Sequence, residues 1–353
     1  MNKQRGPLVG LKVVEFAGLG PAPFCGLLLS DMGATVTRID RAGGEDYQAA
    51  DVESRGRHSV VLDLKSPAGQ AAAFALLDDA DVLIEGFRPG VMERLGLGPD
   101  VVLTRNPRII YGRMTGWGQT GPLAPTAGHD INYLALTGAL HAIGPARKPA
   151  VPLNLVADFG GGALYLAMGI LAALNHVHLT GQGQVIDCAM IDGVTSMLGM
   201  IHGDHAVGLW RDERETNVID GAAPFYDTYR CSDGKWLAVG AIEAPFYATL
   251  LKLLELTDID VARQWQRDQW PEVKARVAER IATRTRSDWC DIFAGHDACV
   301  TPVLSLAEAP HHPHNQARQG FVEIDGIVQP APAPRFSLTP GAVQFGPRPK
   351  GGG

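Results

Sequence analysis

The chain has 353 residues, a formal net charge of −7, and 46% hydrophobic against 20% charged residues. Such a length holds one large domain or two of ordinary size around a real core. The acidic balance excludes a non-specific nucleic-acid binder, and a polyanionic ligand would need Arg and Lys gathered locally.

Five scattered cysteines (Cys25, Cys188, Cys231, Cys290 and Cys299) form no CxxC pair. That argues against a disulfide framework or a zinc site and fits a reducing compartment. No apolar run follows the basic residues of segment 1–7, and Gly351-Gly352-Gly353 is neither a lipidation nor a peroxisomal signal. A cytoplasmic protein is expected.

In chain order, Val13-Val14-Glu15-Phe16 reads as a strand, followed by a Gly/Pro turn and an apolar stretch over 24–32. Thr35-Val36-Thr37-Arg38-Ile39-Asp40 and Val60-Val61-Leu62-Asp63-Leu64 read as strands. A helix over 67–77 leads to Val82-Leu83-Ile84-Glu85, and Ile109-Ile110-Tyr111 follows. Strands alternating with helices at this spacing predict an α/β domain with a largely parallel sheet. Gly160-Gly161-Gly162 opens an apolar helix to about residue 175. Its most apolar part, 164–174, is too short and too rich in Gly and Ala to span a bilayer, so no membrane is expected.

The strand Gln184-Val185-Ile186-Asp187 precedes a helix bearing Met190, Met197 and Met200. From about residue 219 the texture changes. Segment 227–241 reads as a hairpin turning at Ser232-Asp233-Gly234, 246–256 and 271–286 as helices, and Val300-Thr301-Pro302-Val303-Leu304 as a strand. Gln329-Pro330-Ala331-Pro332-Ala333-Pro334 is an extended linker. The expected division is a large α/β domain over 1–186, completed by 335–353, and a small α+β domain over 222–305. Linkers at 187–221 and 306–334 join them.

Gly18-Leu19-Gly20-Pro21-Ala22-Pro23 resembles the dinucleotide fingerprint GxGxxG only superficially. Pro23 replaces the third glycine, and Pro21 removes an N–H that would cradle a pyrophosphate. The turn reads as structural, with Pro near a helix start. The stronger signals are Gly116-Trp117-Gly118-Gln119-Thr120-Gly121-Pro122, Gly128-His129-Asp130-Ile131-Asn132-Tyr133, and Asn154-Leu155-Val156-Ala157-Asp158-Phe159-Gly160-Gly161-Gly162. The first is a glycine-rich loop after a strand, a usual ligand position in α/β sheets. The second sets a His at a helix start, and the third sets Asp158 before a glycine-opened helix. Each has a plain reading: Asp158 or Asp130 as a helix cap, His129 as a structural histidine. The His-rich run 311–314 lacks Cys or acidic partners and reads as a solvated loop.

Over about residues 8–337 these segments resemble the α-methylacyl-CoA racemase branch of the family III CoA-transferase superfamily. GHDINY marks the branch, and Gly86-Phe87-Arg88-Pro89-Gly90 marks the superfamily. Tyr226-Asp227-Thr228-Tyr229, Val239-Gly240-Ala241-Ile242-Glu243 and Ala333-Pro334-Arg335-Phe336-Ser337 add to the likeness. Ala157 departs from it, since racemases often carry Gly before the catalytic Asp.

The resemblance implies the family III fold: a Rossmann-like large domain, a smaller α+β domain, and an interlocked homodimer. It implies interconversion of (2R)- and (2S)-2-methylacyl-CoA in lipid and fatty-acid metabolism, with coenzyme A as part of the substrate and no metal, flavin or nicotinamide. His129 and Asp158 are implied as the two acid/bases. Glu243 and Tyr226 would orient His129, and Asn154 would hold Asp158. Acyl-CoA is expected along Arg41, Leu62, Asp63, Leu64, Lys65, Gly86, Phe87, Arg88 and Arg94, and along Gly128, Asp130, Ile131, Asn132 and Tyr133. Met114, Met190, Met197 and Met200 serve equally well as a soft acyl surface or as core.

The nearest rival is a CoA-transferase on the same fold, with Asp158 as a nucleophile. His129 separates the two, since a transferase needs no base opposite the Asp. A nicotinamide dehydrogenase fails on the glycine fingerprint, and a non-catalytic CoA-binding scaffold has no use for both bases.

Overall fold

The structure is a computed structural model that describes residues 5–43 and 46–352. Residues 1–4 and 353, counted in the expected large domain, lie outside the described residues, as do 44–45. The chain forms two compact units. The first is Met1–Ala139, Pro152–Leu198 and His312–Gly353; the second is Leu140–Val151 and Gly199–His311.

The first unit is built on six parallel strands: β1 (Lys12–Phe16), β2 (Thr35–Asp40), β3 (Arg57–Val61), β4 (Val82–Glu85), β5 (Ile110–Thr115) and β6 (Gln184–Ala189). Their spatial order is β3-β2-β1-β4-β5-β6, the doubly wound order in which the chain reverses direction between β1 and β4. In register, Val13 pairs with Val36 on one side and Val82 on the other. Strands β4 and β5 are buried throughout, as central strands of a parallel sheet covered on both faces must be.

The connecting helices are α1 (Pro21–Asp31), α2 (Pro67–Leu77), α3 (Val91–Arg94), α4 (Pro99–Arg105), α5 (Asp130–Thr137) and, at the unit boundary, α6 (Ala139–Ala142). A π-helical stretch, Leu155–Ala163, then runs into α7 (Leu164–Thr180), and α8 (Met190–Met197) follows β6. Ser66 caps α2 by accepting the Gly69 N–H at 3.0 Å, with Pro67 at the first helical position.

The second unit begins with α9 (Gly199–Ala206). It carries an antiparallel sheet of β7 (Tyr226–Arg230), β8 (Trp236–Gly240) and β9 (Val300–Pro302), with α10 (Ala244–Leu253), α11 (Trp270–Ile281) and α12 (Arg286–Phe293). Phe225, Tyr247, Trp270 and Trp289 are central to its core. Both buried indoles are satisfied: Trp270 donates to Gln264 O and Trp289 to Ile281 O, each at 2.8 Å. Gly234 takes φ +78° in the hairpin turn between β7 and β8. The chain then returns to the first unit through α13 (Pro313–Ala317) and the hairpin β10 (Phe321–Ile324) and β11 (Ile327–Pro330).

Several expected boundaries move. The linker expected over 187–221 begins inside β6, and α8 belongs to the first unit because it packs on the π-helical stretch. The return linker over 306–334 contains α13 and the β10–β11 hairpin, so Gln329 and Pro330 are strand residues. Gln329 is anchored there by accepting, at its Oε1, a hydrogen bond from Arg55 Nη1 at 2.6 Å. The apolar helix is also longer than expected. Leu155–Thr180 is one 26-residue run with a mean hydropathy of 1.6, long and apolar enough to cross a membrane by length and composition. Here Leu166, Ile170, Ala173 and Val177 form its buried stripe, and α7 packs on β5 and β6.

The first unit buries charge beneath this apolar cover. Glu15 in β1 and Arg57 in β3 are both fully buried, with Arg57 Nε 3.1 Å from Glu15 Oε2. Arg57 also donates to Arg55 O at 2.8 Å and to Pro23 O. Burial pushes the Glu15 carboxyl pKa up, and Arg57 opposes that shift. Removing one partner of such a pair leaves the other charge uncompensated. Arg57→Leu is therefore expected to cost about 3–5 kcal/mol of stability, measured by urea denaturation, whereas the double variant Arg57→Leu/Glu15→Leu recovers most of that loss.

Candidate active site

Where the sheet order reverses, the loops leaving β1 and β4 diverge, and a crevice opens outside the carboxyl ends of the strands. A cavity of 530 Å³ lies there. Leu19, Gly20, Pro21 and Ala22 after β1, Gly86–Pro89 after β4, and Met114–Trp117 around the end of β5 form part of its wall. Gly128, His129, Tyr133, Asp158 and Met190 also line it.

Buried polar bonds fix these loops. Glu85 ends β4; its Oε2 accepts the Phe87 N–H at 2.7 Å and its Oε1 accepts Arg113 Nε at 3.0 Å. Arg113 reaches on to Glu93 Oε1 at 2.9 Å, so one guanidinium ties β5, β4 and α3 together. Burial raises the Glu85 pKa to about 7 against the pull of the Phe87 N–H and Arg113. After β5, the Gly118 N–H donates to Thr115 Oγ1 at 3.0 Å and the Gln119 N–H to Asp187 Oδ2 at 3.0 Å. The Trp117 and Tyr133 rings meet edge to face at 4.7 Å, and Tyr133 donates to Gly128 O. A Cβ on Gly116 would fall 2.0 Å from the Tyr133 ring, so that position has to be glycine.

His129 is the N-cap of α5, with extended φ −133° and ψ 174°; its N–H donates to Asn132 Oδ1 at 3.0 Å. Asp158 lies within the π-helical stretch. Such stretches are rare and occur often at functional sites. The three glycines that follow Asp158 do not open the helix, as the sequence suggests; they let it sit against its neighbours. A Cβ on Gly161 would meet Val194 N at 2.8 Å, and one on Gly162 would meet Met190 Cγ at 2.8 Å and Pro21 Cβ at 3.1 Å.

The Asp158 carboxyl pKa is raised to about 6. Burial is the main cause, nearby Asp130 and Glu53 add to it, and His129 is close enough to pull the value down. The arrangement sets a carboxyl that changes protonation near neutrality and an imidazole in one cavity, suited to giving and taking protons.

Among the expected ligand contacts, Gly86, Phe87, Arg88, Gly128 and Tyr133 line this cavity together with His129 and Asp158. Arg41, Asp63, Lys65 and Arg94 are exposed and lie off its wall, as do the half-buried Leu62 and Leu64, which pack on the core. Ile131 and Asn132 are exposed, whereas Asp130 is buried and is not part of the cavity wall. Asn154 does not hold the Asp158 side chain: its backbone carbonyl accepts the Phe159 N–H at 3.3 Å, and Asp130 holds the Asp158 backbone. Glu243, the N-cap of α10, and Tyr226, the first residue of β7, belong to the second unit. Met114 and Met190 line the cavity; Met197 and Met200 are exposed and do not.

The turn after β1, which the sequence suggests is purely structural, borders the site. Gly20 takes φ +72° and ψ −122°, a conformation that favours glycine, and a Cβ there would lie 3.2 Å from Asp158 Oδ2. The motif rejected as a dinucleotide loop is thus a wall of the site. Its usable signal was two glycines immediately after the first strand of an α/β sheet.

The family model for CoA-transferase family III matches residues 8–353. The chain is 48% identical over 338 residues to alpha-methylacyl-CoA racemase of Mus musculus, covering 94% of this chain and 87% of that protein. It is 47% identical over 340 residues to alpha-methylacyl-CoA racemase of Homo sapiens, covering 96% and 88%. Among solved structures, a CAIB/BAIF family protein from Brucella suis superposes with a TM-score of 0.84 at 26% identity, covering 99% of this chain and 97% of that one.

The raised Asp158 pKa has a consequence for stability. A carboxyl that titrates higher folded than unfolded stabilises the fold fully below its unfolded value, and that contribution is lost as pH rises through about 6. Asp158→Asn lacks the term. In thermal melts it is expected to match the parent most closely near pH 4 and to gain on it as pH rises through 6, with the full advantage at pH 8.

Proposed function

The chain belongs to CoA-transferase family III, and we propose that within it this enzyme racemises 2-methylacyl-CoA thioesters by moving the α-proton between two bases. The observation that carries the reading is that His129 and Asp158 line one cavity beside the family's GFRPG loop. The likeness to two racemases over most of the chain agrees with it.

The α-proton of a thioester is weakly acidic, so the base needs help from groups that stabilise the enolate oxygen. The first turn of α5 provides such groups. The N–H groups of Asp130 and Ile131 have no carbonyl four residues back to bond, and the helix dipole favours negative charge there. One of the two residues, His129 or Asp158, removes the proton while the other, protonated, delivers one to the opposite face; the roles exchange for the other epimer. A carboxyl titrating near 6 is suited to both duties at neutral pH. The exposed cations Arg41, Lys65, Arg88 and Arg94 are proposed to supply the positive charge that the coenzyme phosphates require of an acidic chain. In the proposed interlocked homodimer, Glu243 of the partner subunit and Tyr226 of the partner subunit are proposed to orient His129. The reaction uses no cofactor beyond the coenzyme A of its substrate, and we assign the enzyme to the cytoplasm.

In heavy water, either epimer of a 2-methylacyl-CoA is expected to gain a single deuterium at the α-carbon while losing optical purity, as followed by mass spectrometry and chiral separation. His129→Ala and Asp158→Asn are each expected to lower racemisation by about a hundredfold or more. Each retains α-proton exchange from the one epimer that faces its surviving base. Transfer of CoA to an added carboxylate, with an acyl-Asp158 trapped by hydroxylamine and no α-exchange, would establish the transferase instead. The proposed homodimer is checked by sedimentation, where a fully active monomer would refute it.

A further inference from the structure

Asp130 is not part of the cavity wall. The residue is 6% exposed, and its Oδ2 accepts the N–H groups of Ala157 and Asp158, both at 2.8 Å. Its other oxygen, Oδ1, is buried without a hydrogen-bond partner. Among the described residues Asp130 makes no ion pair with Lys, Arg or His. A buried carboxylate with one oxygen unpartnered is costly, and a fold that keeps one has a use for it.

We propose that Asp130 is a positioning residue for the proton transfer, fastening the turn that carries Asp158 to the segment that carries His129 and setting an uncompensated negative charge beside Asp158. The inference rests on the racemase reading. His129 immediately precedes Asp130 at the start of α5, whereas Ala157 and Asp158 come from a stretch 27 and 28 residues further along. Two bonds converging on one oxygen fix both the separation and the tilt of that stretch, so the two bases are held in one frame.

The charge acts separately from the clamp. Asp158 is faced by His129, Asp130 and Tyr133 from the α5 segment and by Glu53 from the short turn Val52–Ser54. The other elements packed on its stretch bring little charge toward it. The N-cap of α1 brings Gly20, and α8 brings Met190 and Val194. On β6, the Cys188 thiol donates to Gly162 O and Asp187 accepts the Gln119 N–H. On β5, Arg113 is committed to Glu85 and Glu93. Asp192 lies in the first turn of α8, and Arg88 of the GFRPG loop lines the same cavity. His129 is thus set against two carboxylates, and Asp130 favours the protonated form of Asp158 that burial already promotes.

The test follows the Asp158 carboxyl directly, by carbon-13 NMR of the full chain labelled at aspartate carboxyls and free of substrate. Its resonance is assigned by its loss in Asp158→Asn. Asp130→Asn keeps an oxygen for both N–H groups but removes the charge. It is expected to lower the Asp158 midpoint by about one pH unit and to move the acid limb of kcat/KM for deuterium exchange with it. Asp130→Ala removes the clamp as well and is expected to lower kcat for exchange about tenfold or more at every pH. An unmoved midpoint in Asp130→Asn, or an unchanged kcat in Asp130→Ala, would overturn the proposal. Should Asp130→Ala fail to fold, the Asp130→Asn titration still decides. Absence of α-exchange in the parent would count against the racemase reading alone, because the titration needs no substrate.

Discussion

Strands β1 and β4 lie side by side and parallel, yet the chain leaves them toward opposite edges of the sheet. That divergence is the constraint on which the rest of the first unit depends. Two neighbouring loops that must turn apart cannot pack against each other, and the space between them becomes the crevice. The turn after β1 is then pressed toward the π-helical stretch, where Gly20 approaches the Asp158 carboxylate. The loop after β4 is held on the other side by Glu85 and Arg113.

Buried charge positions the loops more than it stabilises the sheet. Glu15 with Arg57, Arg38 with Asp40, Asp31 with Arg55, and Glu85 with Arg113 are all removed from water. Buried ion pairs seldom add net stability over an apolar core. They do bind partners at one geometry, and the pairs other than Arg38–Asp40, which lies within β2, join segments that a slippery apolar contact would leave less well defined. Asp31–Arg55–Gln329 ties α1 to the β10–β11 hairpin near the end of the chain. Glu85–Arg113–Glu93 does the same for the GFRPG loop.

Most of the fold was legible along the chain. The helix at 67–77 and the strands at 35–40 and 82–85 have the expected bounds, because Pro, Gly and Ser punctuate them and β-branched residues fill them. The hairpin of the second unit was legible from Ser232-Asp233-Gly234 for the same reason. The errors fall where local signals mislead. Three glycines look like a helix start, but here they are close-packing sites inside a continuous helical run. A run rich in Pro looks like a linker, but Gln329 and Pro330 pair with β10 at the end of a two-stranded hairpin, a position that tolerates proline.

The sequence by itself determined the class of fold and the family and singled out His129 and Asp158 as candidates, because each rests on local pattern or on motifs that are read residue by residue. Only the tertiary structure decided how those residues become a site. It brought the turn after β1 to Asp158, turned Asp130 inward onto the backbone of a segment distant in sequence, and left Met197 and Met200 off the cavity while Met114 and Met190 line it. Spacing along a chain reports which face of a helix or strand a residue occupies. It does not report which other segment that face will meet, and burial, proton affinity and cavity shape are set by that meeting.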